Sequence, residues 1–221
     1  DATGASLVVV GDLNAERWIS TSLVEVMMLP IQAIKSRLMT ALANVNRAVI
    51  TADPGSGKST VLPGFFIDQA RKTLIAQPRR IAARSLAEYV AAQLNEPVGA
   101  RVGYRVRHDR KISEKTKLEY VTDGMLVRLI QDDPELSEVD TVILDEFHER
   151  STQLDLALAF LLEVQAAYRP DLRILIMSAT LDVDVIKDWF NAPHSHAPGN
   201  VHDNEITYAP KPVPLRGVVS E

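Results

Sequence analysis

The sequence predicts an α/β fold, a mainly parallel sheet with helices on both faces. Three observations predict it. Short apolar, β-branched runs recur from residue 47 onward. Stretches of helical periodicity separate them. The residues with the most chemical character fall where those runs end. Short strands alternating with helices form βαβ units, and in such sheets ligands gather at the carboxyl ends of the strands.

Taken in order, "RAVITA" (47–52) reads as a strand, followed by a glycine-rich turn and a helix through about Ala70. "TLIAQ" (73–77) is a strand. "PRRIAARSLAEYVAAQL" (78–94) is a helix with Pro78 in its first turn and Ile81, Leu86, Val90 and Leu94 on one face. "RVGYRVR" (101–107) alternates, "KLEYV" (117–121) is a strand and "GMLVRLIQ" (124–131) a short helix. "TVILDE" is a strand, 150–168 a long apolar helix, "LRILIMS" (172–178) a strand and 183–190 a short helix. Residues 1–28 read as an extension with an extra strand and helix of unclear role. Residues 191–221 hold five prolines and three histidines in irregular order. They read as an irregular tail or the start of a linker, with His194, His196 and His202 in a loop rather than on a metal.

Composition narrows the function classes. Apolar residues make up 46% and charged residues 24%, an ordinary globular balance. Without cysteine there is no disulfide framework and no thiolate chemistry, and a reducing, cytoplasmic setting is expected. No stretch approaches the ~18 uninterrupted apolar residues of a membrane span. The chain begins at Asp1, so a fragment or processed product is expected, and with Arg17 as its first basic residue the start lacks the charged region of a signal peptide. Net charge is −5, yet residues 71–117 carry twelve of the 24 Lys/Arg and four of the 29 Asp/Glu. Such asymmetry suggests a basic face on an acidic body, or a merely solvated surface.

Two motifs carry chemistry. "ADPGSGKST" (52–60) follows a strand and opens the next element. Its glycines let the backbone wrap phosphates so that successive N–H groups point inward, Lys58 reaches the β- and γ-phosphates, and Ser59 ligates Mg²⁺. The strict phosphate-loop pattern has Gly at 52, where this chain has Ala. The second motif is "TVILDEFHERS" (141–151), in which an apolar strand stops at two acids. Buried carboxylates are costly unless something satisfies them. If this strand lies beside the one ending at the phosphate loop, Asp145 holds Mg²⁺ and Glu146 stands where water attacks the γ-phosphate.

"GSGKST", "QPRRIAA", "YVTDGML", "DEFHERS" and "MSAT" occur in the order and rough spacing of the DEAH-box (DEAH/RHA) superfamily 2 RNA helicases. The Phe of "DEFHERS" most resembles the bacterial HrpB-type subgroup. The similarity covers about residues 29–190 and implies a RecA-like P-loop NTPase domain, the first of two in such helicases. It implies ATP and Mg²⁺ as cofactors and single-stranded or structured RNA as partner. On this resemblance Asp53, Pro54, Gly55, Ser56, Gly57, Lys58, Ser59 and Thr60 bind the triphosphate, with Ser59 and Asp145 on the metal and Asp145 and Glu146 as catalytic acids. His148, Ser178 and Thr180 match positions that couple nucleotide state to RNA grip. Arg79 and Arg80, and Thr122, Asp123 and Gly124, match motifs that grip the RNA backbone. Tyr89 falls about where many members carry an Arg that stacks on the base.

The sequence also departs from the family. The "QRxGRxGR"-type segment of a second RecA-like domain, which supplies arginine fingers, is absent, so this chain alone is expected to hydrolyse ATP slowly. "GNVHDNEITY" (199–208) only loosely resembles the family's linker strand. A DNA-stimulated P-loop translocase, or a silent nucleotide- or RNA-binding module, remains an alternative. No residue reads a 2′-hydroxyl, so RNA over DNA rests on the resemblance.

Overall fold

The computed structural model describes residues 29–53, 55–180, 186 and 189–198. Their eight strands form one sheet in the order β4-β3-β5-β2-β6-β7-β1-β8. The strands are β1 (Arg47–Ala52), β2 (Lys72–Gln77), β3 (Val102–Val106), β4 (Asp109–Lys111), β5 (Leu118–Thr122), β6 (Val139–Leu144), β7 (Arg173–Ser178) and β8 (His194–Ala197). Every neighbouring pair is parallel except the β3–β4 hairpin at one edge. All four β-strand residues from 49 to 52, and the last five of β2 and β7, are buried. Burial on both faces is why these strands read as continuous apolar runs rather than as alternating ones.

Alternate residues feed two cores. On one face Ile50, Ile75, Tyr120 and Ile143 pack with Leu38 and Leu42 of α1 (Lys35–Val45) and with Ala83, Ala87 and Val90 of α2 (Arg80–Gln93). On the other, Val49, Leu74, Val142 and Ile176 meet Leu126 and Ile130 of α3 (Asp123–Asp132) and Leu154, Leu158 and Leu161 of α4 (Thr152–Ala167). Ser151 caps α4 by accepting the Leu154 N–H at 3.0 Å. No helix among the described residues is long and apolar enough to cross a membrane.

Several elements differ from the sequence expectation. The helix expected after the glycine-rich turn is a run of turns and one 3-10 segment, Pro63–Phe66. Pro63 has no N–H to donate, Gly64 disfavours helix, and Leu62, Gly64 and Phe65 bond at i→i+3 to i→i+5 spacings instead. In α2 the expected face holds at Leu86, Val90 and Leu94, which pack on the first core, but Pro78 lies outside the helix, whose N-cap is Arg79, and Ile81 is 80% exposed. The small residues Ala83, Ala87 and Ala91 face the sheet and let the helix sit close to it. A helical turn, Pro30–Ala33, and α1 precede β1, where the sequence assigned nothing.

Residues 194–197 are a strand, not part of an irregular tail. β8 pairs in parallel with β1, and Ala197 is fully buried in the first core. The histidines gave no strand signal; pairing with β1 makes the strand. Of the helix expected at 183–190, Ile186, Trp189 and Phe190 are helical. The expectations for residues 1–28, for His202 and for the linker strand at 199–208 lie outside the described residues.

This placement of β8 is testable. Ala197→Glu buries a carboxylate without a partner and should cost about 3 kcal/mol or more, read as a shift in the urea midpoint at unchanged slope. A loss below about 0.5 kcal/mol, the size of a surface change, would return residue 197 to a solvated tail.

Candidate nucleotide and nucleic-acid site

The phosphate loop leaves β1 at Asp53. Gly55 and Gly57 adopt φ of +78° and +92°, in the left-handed region that favours glycine. Gly57 is doubly constrained, because a Cβ there would sit 3.1 Å from both Ile31 and Leu29 side-chain carbons. The helical turn at Pro30–Ala33 thus closes over the loop, and the Ile31 N–H donates to the Ser56 carbonyl. The backbone N–H groups of Gly57, Lys58 and Ser59 take no acceptor among the described residues. Tyr120, buried on β5, donates its hydroxyl to the Ser59 carbonyl at 2.9 Å and ties down the far side of the loop. Burial and the charge of Asp145 push that phenol well above its ordinary range.

β6 does not lie beside β1, as the sequence suggested; β7 lies between them. The loop crosses the end of β7 and still meets the acids. Lys58 Nζ donates to Glu146 Oε1 at 2.6 Å. Asp145 is fully buried and accepts from Gln77 Nε2 at 2.7 Å and from the Glu146 N–H at 2.8 Å. Burial pushes its pKa up. Ser59, Lys58 and Gln77 hold it down, and the neighbouring Glu146 charge raises it further. Two positions expected on one metal, Ser59 and Asp145, are thus near enough for Ser59 to favour the Asp145 charge.

Beyond Asp145 the chain turns sharply. Glu146 is left-handed at φ 50°, and residues Phe147–Glu149 form one 3-10 turn anchored by buried Phe147. His148 Nδ1 lies 3.1 Å from Ser178 Oγ at the end of β7 and 3.5 Å from Glu146 Oε2. Ser178 in turn donates to the Thr180 carbonyl at 3.2 Å. The three positions matched to coupling thus form one chain of contacts beside Glu146. A cleft of about 620 Å³ opens onto Asp53, Gly55, Lys58, Ser59, Glu146 and Tyr89. Tyr89 reaches this cleft from α2 with its ring half exposed. Pro54 lies outside the described residues.

A second cleft, of about 360 Å³, brings together Arg79, Thr122, Asp123 and Gly124. Asp123 is almost fully buried. One oxygen accepts from the Ser151 hydroxyl at 3.0 Å, the other has no hydrogen-bond partner, and burial pushes its pKa up. Arg80 lies apart, in an open groove with Arg79, Arg84 and exposed Ile81. Much of the basic segment is neutralised locally, as in Arg84–Glu88, Arg101–Glu96 and Arg105–Glu119. Gln77 and Glu149 are additions the sequence reading missed. The position of Gln77 at the end of β2, opposite Asp145, was the available signal.

The comparisons with known proteins agree with this geometry. Residues 31–189 match the DEAD/DEAH box helicase family. The chain belongs to that family. Among curated relatives, "ATP-dependent RNA helicase HrpB" of Escherichia coli (strain K12) is 46% identical over 85% of this chain and 24% of the relative. "Probable ATP-dependent RNA helicase DHR2" of Saccharomyces cerevisiae is 37% identical over 83% and 26%. The crystal structure of the Escherichia coli DEAH/RHA helicase HrpB superposes with a TM-score of 0.74 at 48% identity, covering 77% of this chain and 22% of that one. The sheet is thus that of a RecA-like helicase domain, and the HrpB-type resemblance of "DEFHERS" holds. The chain spans about a quarter of the length of these relatives.

The burial of Asp145 predicts a pH effect. Its folded pKa lies above the unfolded value, so the protonated form is the one folding favours. That contribution is complete below the unfolded pKa of ~3.9 and is lost as pH rises through the folded value. Without divalent cations, Asp145 should therefore add to the stability read by urea denaturation as pH falls, and Asp145→Asn should remove that gain. Equal slopes in the two proteins would contradict it.

Proposed function

We propose that this chain is the nucleotide-binding motor domain of an ATP-dependent RNA helicase, hydrolysing the β–γ bond of Mg·ATP by in-line attack of water. The observation that carries the reading is the meeting of the two motifs: Lys58 on Glu146 at 2.6 Å, beside buried Asp145. The N–H groups of Gly57, Lys58 and Ser59, which take no acceptor among the described residues, would form a cradle suited to phosphate oxygens.

Mg²⁺ suits this donor set, a hydroxyl beside a buried carboxylate, and held by Ser59 and Asp145 it would neutralise charge building on the phosphates. Lys58, now held by Glu146, would turn to the β- and γ-phosphates. That exchange frees the Glu146 carboxylate to orient a water and accept its proton. Gln77 keeps Asp145 aimed at the cleft. His148, between Ser178 and Glu146, would pass the state of the acid to the end of β7. Tyr89 offers an aromatic face to the base.

Arg79, Arg80, Thr122, Asp123 and Gly124 would hold the nucleic-acid backbone, a contact that carries no sequence information. The family and the names of its relatives support RNA as that partner. The domain we assign runs from residue 29 to at least 197, with a second RecA-like domain completing the site in the whole protein. A translocase on DNA is the competing reading, and stimulation of ATPase activity by single-stranded DNA but not RNA in the whole protein would favour it.

Lys58→Ala should lower Mg·ATP affinity at least about tenfold, or ~1.4 kcal/mol, by calorimetry. Unchanged affinity would remove Lys58 from the site. Glu146→Gln should keep nucleotide binding but slow single-turnover hydrolysis about 10²-fold or more, within the usual range for a general base. Arg79→Glu should weaken RNA binding, with a loss that shrinks as salt rises; a salt-independent loss would indicate damage to the fold.

A further inference from the structure

Glu149 is the residue that lines both clefts, the one at the phosphate loop and the one at Arg79. Its Oε2 lies 3.1 Å from Arg79 Nη2. Within five residues, one turn therefore makes three separate contacts: Glu146 with Lys58, His148 with Ser178, and Glu149 with Arg79. Buried Phe147 pins the turn at its centre. Both ends are left-handed without being glycine, Glu146 at φ 50° and Arg150 at φ 40°. Non-glycine residues persist in such backbone only where their surroundings hold them. Here the surroundings include an ion pair at each cleft.

Arg79 is the N-cap of α2, in extended backbone, with a side chain 73% exposed. A guanidinium presents the same planar fork of donors to a carboxylate and to a phosphate. A nucleic-acid phosphate that takes the Nη2 donor of Arg79 competes with Glu149 for it. At the other end of the turn, a nucleotide phosphate that takes Lys58 releases Glu146 from its 2.6 Å contact. Both exchanges would act on the same segment, at opposite ends.

We propose that Glu149 is a positioning residue that occupies Arg79 until a nucleic-acid phosphate displaces it, and that the turn 146–150 ties this exchange to the nucleotide cleft. The proposal rests on the reading of Arg79 as a backbone-gripping residue. Because the pair is solvent-exposed, its effect is modest. Removing the competing charge should strengthen nucleic-acid binding only about two- to fivefold, the size of an exposed ion pair.

Glu149→Gln keeps the shape and removes the charge. Fluorescence anisotropy with a short labelled oligouridylate should show the tighter binding in the 221-residue chain. The same substitution made in an Arg79→Gln background should give a clearly smaller gain. Equal gains in the two backgrounds would mean only that a negative charge had been taken from beside a polyanion, and would overturn the proposal, as would no gain at all. Mg·ATP affinity measured with and without saturating oligouridylate gives the second readout. The parent chain should show a difference that Glu149→Gln reduces, and an unaltered or absent difference overturns the link between the clefts. A chain that binds Mg·ATP but no oligouridylate overturns the reading of Arg79 together with the proposal. Oligouridylate binding that is indifferent to Glu149 overturns the proposal alone.

Discussion

A carboxylate with no exposed surface organises this fold. Asp145 ends a strand buried on both faces, and an ion there is costly unless the protein replaces its water. Its partners come from three directions. Gln77 donates from the end of β2 and the Glu146 N–H from the turn that follows, while Ser59, from the loop after β1, favours the charged form. The Gln77 bond holds the end of β2 level with the end of β6. The compensation is incomplete, since burial still outweighs the donors. That residual deficit is what a bound cation would offset.

The strand order makes the arrangement more demanding than two neighbouring motifs would be. With β7 between β1 and β6, the phosphate loop must reach across a strand end to bring Lys58 to Glu146. A regular helix starting at the loop would leave less freedom for that crossing. Turns and a 3-10 segment, held by the Tyr120 hydroxyl at one side and by the Ile31–Gly57 contact at the other, take its place. The intervening strand also contributes, because its last residue, Ser178, is the one His148 meets.

The central strands and the two acids were legible because burial on both faces leaves a chemical record, apolar runs that stop at charge. β4 and β8 were not. Asp109–Lys111 has no apolar period and exists by pairing with β3, while His194–Ala197 exists by pairing with β1. The α2 face was misjudged at Ile81 alone, while Leu86, Val90 and Leu94 pack on the core as their spacing indicated. The helix uses Ala83, Ala87 and Ala91 to approach the sheet and leaves Ile81 in solvent. In the site, the spacing of Lys58 and Asp145 conveyed identity but not strand order. Gln77 and Glu149 escaped notice because their importance lies in what they touch. A polar residue at a strand end looks alike in sequence whether or not a buried ion waits across from it.

The hairpin at the sheet's edge has a bearing on colloidal behaviour. Among the described residues β4 has no outer neighbour, and it carries three successive charged side chains, Asp109, Arg110 and Lys111. A foreign strand docking there would have to strip water from charges of both signs before gaining any ladder bonds. Short, charged edge strands discourage such self-assembly. On that side the sheet is guarded against edge-to-edge aggregation by the very residues that hid the strand from a periodicity reading.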